Sequence, residues 1–538
     1  MRTTIARLRA DGAIWPGLFV LAAWSYWALF SLVTPVTVWD AHTYNLARLE
    51  LARMGGLFGN PYWNSGRQVF LPWTFDSVHF PFLLIGFGTS LPSFACLTGL
   101  LLIVFRMVAA RFSRRAAWWC CAALLALPTL VYQASSTKND LAVVFALGCW
   151  AYAGSLYRTA PRRRYVALMA LSLAFAAGSK TSGVVFALLL LPWTLWTLRG
   201  AASECAAFVG ILVVCLVLWG SLETYANTLR IYGHALGPRQ FVEDLRNRDG
   251  AAGAAANFLR YAIGNTNVGL DSVHPSPALI AAWDRAARSL LGKVGLGNMG
   301  YAAGYGDASL HFWKDGWEAS SDFGLLGGIA LWFSLIALAI RPRSDPLWAL
   351  SALAIGSLLV ICATIGWMPW NGRFLMVSFV LSAVVLALAA ERSSRPVRAL
   401  FGAAVIISGV VAPSFSFNKG PTALFAALLD RKAFETRENP GMFEVIRDLE
   451  TRAGSGSVTE ITVCAGADSW ILPLFSIPGL SVHPEADRGK VSRPERGQGA
   501  RFVLLLNTVG DGPPLEGWVE IRGYAEADSG LYRLDAAR

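Results

Sequence analysis

Residues 14–34 read IWPGLFVLAAWSYWALFSLVT. The run contains no charged side chain, and at about 1.5 Å per residue a helix of this length crosses the roughly 30 Å hydrocarbon core of a bilayer. Three arginines (Arg2, Arg7 and Arg9) precede it, as basic residues precede a signal peptide. The run is too long for the apolar core of a signal peptide, and no small-x-small cleavage site accompanies it. We therefore expect an uncleaved membrane anchor.

Composition extends this expectation to most of the chain. Of the 538 residues, 55% are hydrophobic and only 15% are charged, whereas about 25% of the residues of a typical soluble domain are charged. The apolar runs predict an α-helical polytopic membrane protein with about eleven transmembrane helices. The predicted spans are residues 14–34, 82–105, 116–133, 140–157, 165–178, 183–198, 206–222, 323–340, 346–365, 374–390 and 399–413.

The net charge of +11 is distributed unevenly along the chain. If the N-terminus is cytoplasmic, the segments on that side hold seventeen arginines and four acids, a net charge of +13, and the rest of the chain carries −2. Short arginine-rich loops on one side follow the positive-inside rule of membrane proteins. A nucleic-acid-binding protein would instead need a basic patch on one folded face. The charge therefore predicts topology and gives no indication of a nucleic-acid partner.

Three long segments fall on the opposite, exterior side, at residues 35–81, 223–322 and 414–538. The last of them combines a helical apolar pattern at 443–449 with short apolar strands between Gly and Pro turns, which indicates a small α/β domain. We therefore divide the chain into a transmembrane domain, residues 1–413, and an exterior domain that begins at residue 414. The eight cysteines show no spacing typical of a disulfide framework or a zinc site.

The first exterior loop contains a candidate catalytic acid. Residues 38–44 read VWDAHTY, and on a helix Asp40 and Tyr44 share one face because residues i and i+4 are neighbours. A carboxylate at a membrane boundary costs free energy and commonly has a function. The alternative is that Asp40 only caps the helix. His42 and Tyr44 are candidates for shaping the substrate site.

Two short turns on the same side carry further candidates. Residues 135–140 read SSTKND, where Asp140 either has a role in the site or only complements the dipole of the helix it begins. Residues 178–183 read GSKTSG, and the preceding span is so short that Lys180 lies below the headgroup level. Lys180 is then either a snorkelling side chain or an ammonium that binds a lipid phosphate. We expect its charge to be unpaired until an anion binds, so that its removal leaves stability unchanged or raises it.

A fourth candidate precedes the tenth span. Residues 367–374 read WMPWNGRF. The tryptophans are typical of an interfacial aromatic belt, but the planar guanidinium of Arg373 also suits a phosphate. The four charged candidates are far apart in the sequence but lie at the same membrane level on the same side, so we predict that they form one site.

At these residues the chain resembles the C-class (GT-C) membrane glycosyltransferases, the superfamily of protein O-mannosyltransferases and of the aminoarabinose transferases that act on lipid A. The resemblance covers residues 14–413 and rests on the four charged candidates in their order. It implies that Asp40 is the catalytic carboxylate and that basic residues bind the phosphate of a polyprenyl-phosphate sugar. Ala41 stands where many relatives carry a second acid, so the resemblance names no cofactor and a divalent metal stays an open alternative.

The charge pattern and the resemblance together predict a glycosyltransferase of the bacterial inner membrane with a periplasmic C-terminus. Asp40 would accept the proton of an acceptor hydroxyl, while Lys180 and Arg373 stabilise the departing phosphate. Asp140 would position the acceptor or the helix end. A single displacement predicts inversion at the anomeric carbon. The acceptor, a glycan, lipid or protein, is left open, and the alternative function is a transporter or flippase of lipid-linked sugars.

Overall fold

We describe the fold from a computed structural model of the chain. Its described residues are 13–55, 65–219, 221–265, 277–306, 323–415, 419–437, 439–465, 469–484, 502–506, 518–523 and 530–534. The N-terminal arginines Arg2, Arg7 and Arg9 and parts of the predicted exterior segments lie outside the described residues.

A helix lies at each of the eleven predicted spans, and the α-helical membrane fold is confirmed. Up to residue 218 the helices are α1 (Ile14–Val33), α2 (Ala47–Gly55), α3 (Arg67–Phe70), α4 (Thr74–Ile85), α5 (Leu91–Arg111), α6 (Arg114–Leu125), α7 (Pro128–Ala134), α8 (Asp140–Thr159), α9 (Arg163–Ser179), α10 (Thr181–Leu198) and α11 (Ala202–Leu218). The next are α12 (Ser221–Tyr232), α13 (Arg239–Leu245), α14 (Gly250–Gly264), α15 (Pro277–Lys293), α16 (Gly324–Ile340), α17 (Pro346–Thr364), α18 (Met376–Glu391) and α19 (Arg395–Phe415).

The length of the helices decides how many of them can cross a bilayer. Within the described ranges, six helices are long and apolar enough, or eight if each of two bent pairs forms one span. The bends measure 77° between α6 and α7 and 61° between α11 and α12. The first bend falls where Pro128 begins α7, because proline lacks the amide donor that would continue α6. The count of eleven stays a prediction.

The second predicted span, residues 82–105, is wrong at its start. The structure ends α4 at Ile85 and begins α5 at Leu91. Between them Gly86 and Gly88 have φ angles of 70° and 64°, a left-handed conformation that ends a helix and that glycine adopts without steric cost. Apolar composition alone did not reveal this turn.

The centre of the transmembrane domain is α18, which is buried along most of its length. It packs against α16, α17 and α6, and the ring of Phe379 stacks on Phe323 with 3.9 Å between centroids. An all-round apolar helix is typical of such a buried position. Since the turn that carries Arg373 leads directly into α18, the packing of this helix fixes the height of Arg373 in the bundle.

The C-terminal region is a small α/β domain, as predicted. It begins with helices α20 (Pro421–Leu429), α21 (Arg431–Glu435) and α22 (Pro440–Gly454). The buried face of α22, including Val445 and Leu449, packs on the sheet residues Ile461 and Leu504. The sheet has the order β2-β1-β3-β5-β4, with β1 parallel to β2 and β3 and the other pairs antiparallel. Its strands are β1 (Glu460–Ala465), β2 (Ser481–Pro484), β3 (Phe502–Leu506), β4 (Trp518–Gly523) and β5 (Gly530–Leu534).

The two ends of the helix bundle differ in chemistry. At one end, Arg341 and Arg392 lie 3.7 and 3.4 Å from carboxylate oxygens of Asp345, and Arg115 lies 3.4 Å from Glu391. The other end carries the predicted site residues and the C-terminal domain. We call these the arginine end and the site end.

The orientation of these ends in the membrane is a testable prediction. Because arginine-rich loops stay in the cytoplasm, we expect reporters fused after Arg164 and after Arg343 to be cytoplasmic. Reporters fused near Gly250 and after Arg538 should be exterior. A cytoplasmic C-terminal reporter would show that the number of spans has been miscounted.

Candidate active site

The Asp40 turn is an irregular helix. After α1 ends, Asp40 leads into a π-helical turn, Ala41–Asn45, in which the amide of Leu46 donates to the carbonyl of Ala41 at 3.2 Å. Such wide turns are rare and occur frequently at functional sites. The Asp40 carboxylate caps no backbone N–H, so the interpretation of this residue as a simple helix cap is wrong.

The Asp40 carboxylate is held by two cations. Its Oδ2 contacts Lys138 Nζ and accepts a hydrogen bond from Arg373 Nη1 at 2.9 Å. The Tyr44 hydroxyl also donates to Asp40. Burial by itself would raise the pKa of Asp40, but Lys138 and Arg373 outweigh it and hold the pKa of this carboxyl well below its usual range. Asp40 is therefore ionised throughout the physiological pH range.

Lys180 and Asp140 form a second ion pair. Lys180 Nζ contacts Asp140 Oδ1, and the ammonium also lies 4.4 Å from the centroid of the Phe374 ring. The Asp140 side chain is only 1% exposed, and its Oδ2 has no hydrogen-bond partner among the described residues. The expectation that Lys180 is unpaired is wrong: the tight packing of α8 against α9 brings its carboxylate partner to it.

The turn that carries Lys180 is fixed by backbone contacts. Asn139 Nδ2 donates to the carbonyl of Ser179 at 2.6 Å and joins this turn to the one that carries Asp140. A Cβ at Gly183 would lie 1.9 Å from the carbonyl oxygen of Ala176. Only glycine at this position lets α9 and α10 approach so closely. The helix geometry therefore places Lys180 before any ligand is bound.

Arg373 reaches the site from a short 3-10 turn, Pro369–Leu375. Asn371 in this turn is buried and donates to the Tyr261 hydroxyl at 2.6 Å and to the Gly366 carbonyl at 2.8 Å. The turn is thus tied to α14. Besides its hydrogen bond to Asp40, Arg373 interacts electrostatically with Asp140 and Tyr44. The structure therefore brings five of the six predicted site residues together: Asp40, Tyr44, Asp140, Lys180 and Arg373.

His42 lies on the other side of the Asp40 turn. Its ring stacks on Trp470 of the C-terminal domain, with 4.2 Å between centroids and 16° between the planes. Its Nε2 lies 2.9 Å from the Val36 carbonyl, to which the neutral ring donates, and its Nδ1 has no partner in the described part of the chain. Burial lowers the pKa of His42 to about 4. His42 therefore packs behind the turn and does not join the charged cluster.

The buried, neutral His42 predicts a pH-dependent stability. Unfolding returns the pKa of His42 to about 6.5, so the unfolded chain binds the proton first as pH falls and stability decreases between about pH 6.5 and pH 4. His42→Gln removes this titration but not the others. Its melting temperature should therefore fall less between pH 7.5 and pH 5 than that of the wild type, as differential scanning fluorimetry in detergent would measure. Parallel pH profiles would contradict this, because they would show that the pKa of His42 is the same in the folded and the unfolded chain.

Three features beside the charged cluster were not predicted from the sequence. Lys138, in the quoted turn 135–140, was not assigned a role, although it contacts Asp40 and its side chain is only 3% exposed. A buried ion pair joins Arg48 to Asp76 on α4, and Asp76 interacts electrostatically with Asp40 and Lys180. Trp470 contacts the Asp40 turn from the C-terminal domain. For the ion pair, the available signal was a charged residue, Asp76, in a largely apolar helix.

The donor set does not fit a protein-bound metal ion. No group of three His, Cys, Asp or Glu side chains lies close enough to hold one within the ranges that the structure describes. The nearest charged neighbours of Asp40 are the cations Lys138 and Arg373.

Comparison with solved structures identifies the fold. The chain superposes on the crystal structure of ArnT from Cupriavidus metallidurans bound to undecaprenyl phosphate with a TM-score of 0.54. Sequence identity is 14%, and the alignment covers 97% of this chain and 98% of that chain. The chain has the ArnT fold. ArnT has the GT-C fold, so the fold expected from the resemblance is confirmed.

ArnT from the same organism in the apo state has a TM-score of 0.46 at 15% identity, over 96% of this chain and 97% of that chain. No family profile and no curated protein matches the sequence. At 14% identity, the likeness to the lipid-bound ArnT is one of fold, and it extends over both the membrane helices and the C-terminal domain.

Proposed function

We propose that this protein is a membrane glycosyltransferase that moves a sugar from a polyprenyl-phosphate donor to an acceptor hydroxyl. The observation that carries the proposal is the charged cluster at the site end of an ArnT fold. The ArnT structure is bound to undecaprenyl phosphate, and a lipid phosphate is the ligand that the cluster suits. We further propose that the site end faces the periplasm of a bacterial inner membrane.

The charge of the cluster matches a lipid-phosphate sugar. Three cations, Lys138, Lys180 and Arg373, face the two carboxylates of Asp40 and Asp140, which leaves one positive charge in the absence of ligand. A phosphodiester between a lipid and a sugar carries one negative charge. Arginine and lysine at the boundary of the hydrocarbon core interact strongly with such a phosphate, because little water competes for it.

Donor binding and base activation are coupled in this arrangement. While Lys138 and Arg373 hold Asp40, its pKa stays low and the carboxylate is a weak base. When the donor phosphate takes up one or both cations, the carboxylate loses its partners and its pKa rises towards the ordinary range. Asp40 can then accept a proton from the acceptor hydroxyl. The base thus becomes competent only when the donor is bound.

The transfer itself needs one displacement. The acceptor oxygen attacks the anomeric carbon as its proton passes to Asp40, and the bond from that carbon to the phosphate oxygen breaks. Lys180 and Arg373 stabilise the charge that collects on the departing lipid phosphate, while Asp140 holds Lys180 in place. A single displacement inverts the anomeric centre. The acceptor class, glycan, lipid or protein, is open in this proposal.

A one-compartment assay tests the function. Purified protein in detergent is incubated with a panel of polyprenyl-phosphate sugars and candidate acceptors, and release of the lipid phosphate is measured. A transferase consumes a donor under these conditions, whereas a transporter or flippase leaves every donor intact. Polar sites near the membrane midplane are typical of transporters, whereas the charged cluster described here lies at the ends of helices. Failure to consume any donor, with all three acceptor classes present, would contradict the proposal.

A further inference from the structure

The C-terminal domain and the Asp40 turn each pack side chains into the apolar core of the other. Residues 469–476 of the domain cross this contact. Trp470 belongs to the core of the C-terminal domain, whereas the next two residues, Ile471 and Leu472, belong to the core that surrounds Ala41 and Leu46. In return, Trp39 of the turn packs against the core of the domain. The two parts therefore share an interlocked apolar contact.

Trp470 contacts residues on both sides of Asp40 in the sequence, and we call this contact the clamp. Its ring stacks on His42, two residues after Asp40, and meets the edge of Trp39, the residue before it, with 5.3 Å between centroids and 71° between planes. The amide of Ile471 also donates to the carbonyl of His42 at 3.3 Å. Trp470 is 1% exposed. Aromatic pairs in these geometries are favourable beyond the apolar area that they bury.

The clamp compensates for an unfavourable backbone. A π-helical turn is rarer than an α-helical one and persists where its surroundings hold it. One face of this turn is held by the cations that bind Asp40, and these are the groups that the donor phosphate is proposed to take up. The other face is held by Trp470. When the phosphate releases Asp40, the contact with Trp470 remains to fix the position of the carboxylate.

We infer that Trp470 is a positioning residue for Asp40, and that the C-terminal domain is an integral part of the active site. The catalytic part of this inference rests on the proposed function. It predicts that loss of the Trp470 ring loosens the Asp40 turn and lowers turnover, while the affinity for lipid phosphate, which depends on Lys180 and Arg373, changes little.

The structural part is tested without any substrate. Hydrogen exchange of residues 38–46 is compared in the full-length protein in detergent for wild type, Trp470→Ala, Trp470→Phe and Leu449→Ala. Leu449 is fully buried in the same domain core, but it lies on helix α22 and outside the segment 469–476 that carries the contact, so its truncation is the matched control. We expect exchange at the turn to be at least about ten-fold faster in Trp470→Ala only. Unchanged exchange in strand β1 would verify that the domain is folded.

Kinetics with an active donor test the catalytic part. Trp470→Ala should lower kcat about ten-fold or more with a KM for donor within about two-fold of wild type, and Trp470→Phe should recover most of the loss because it keeps an aromatic ring. Equal loosening of the turn in Trp470→Ala and Leu449→Ala, or no loosening in either, would overturn the inference. If the wild type consumes no donor, the proposed function fails, and the exchange data still decide whether Trp470 holds the turn.

Discussion

Asp40→Asn is expected to lower turnover by about two orders of magnitude or more, the usual effect of losing a general base. The amide keeps the size of the carboxylate but cannot accept a proton at neutral pH. Release of lipid phosphate from an active donor, measured against wild type at saturating donor, gives the effect. Asp345→Asn at the arginine end is a matched control, since this acid also contacts two arginines but lies far from the site.

The structure adds a second expectation for Asp40→Asn. Removing the carboxylate leaves Lys138 and Arg373 beside each other without their counter-charge, so the empty variant should be less stable than wild type. The same change frees both cations for a phosphate, so undecaprenyl phosphate should bind at least as tightly and stabilise the variant more. Turnover within a few-fold of wild type would remove Asp40 from the base role.

Lys180→Met is expected to weaken donor binding and, contrary to the expectation from sequence, to lower stability without donor. The methionine keeps a long apolar side chain but leaves the almost fully buried Asp140 carboxylate without its partner. Loss of one member of a buried ion pair destabilises by up to about 3–5 kcal/mol. The lost charged hydrogen bond to phosphate should weaken donor affinity by about 1.5–3 kcal/mol, or roughly ten-fold or more. Thermal unfolding across an undecaprenyl-phosphate titration measures both effects.

A double variant separates the two roles of Lys180. Asp140→Asn combined with Lys180→Met removes both charges, so stability without donor should recover towards wild type. Donor affinity should stay low, because the ammonium is still missing. If wild type and Lys180→Met respond to the same concentration of lipid phosphate, Lys180 only pairs with Asp140, and Lys138 and Arg373 bind the phosphate without it.

Membrane topology made part of this site predictable from sequence. Once the apolar runs are placed, the positive-inside rule predicts that the turns that carry Asp40, Asp140, Lys180 and Arg373 lie on one side of the membrane. A charged residue at a membrane boundary costs free energy, which indicates a functional role. These signals are local to each turn. They therefore predicted the membrane fold and four residues that the structure brings together, although the turn at Gly86 and Gly88 divided one predicted span.

Contacts between distant segments were not predictable in the same way. Lys180 and Asp140 are forty residues apart, and only the packing of α8 on α9 pairs them. Lys138 stands two residues before Asp140, and nothing in the turn indicates that its ammonium points to Asp40 and not to water. Trp470 gives no signal at all, because a buried tryptophan in an α/β domain is ordinarily a core residue.

The shortness of the two helices that meet at Lys180 has a consequence for the lipid around them. Helices α9 and α10 have 17 and 18 residues, or lengths of about 25 and 27 Å, and both fall short of an average hydrocarbon thickness of roughly 30 Å. Where both helices cross the bilayer, as the sequence predicts, the surrounding acyl chains thin to match them and draw the lipid headgroups inwards. On the proposed function, bilayer thickness then sets the depth at which a polyprenyl phosphate meets Lys180, so the physical state of the membrane would help to align the substrate with the protein.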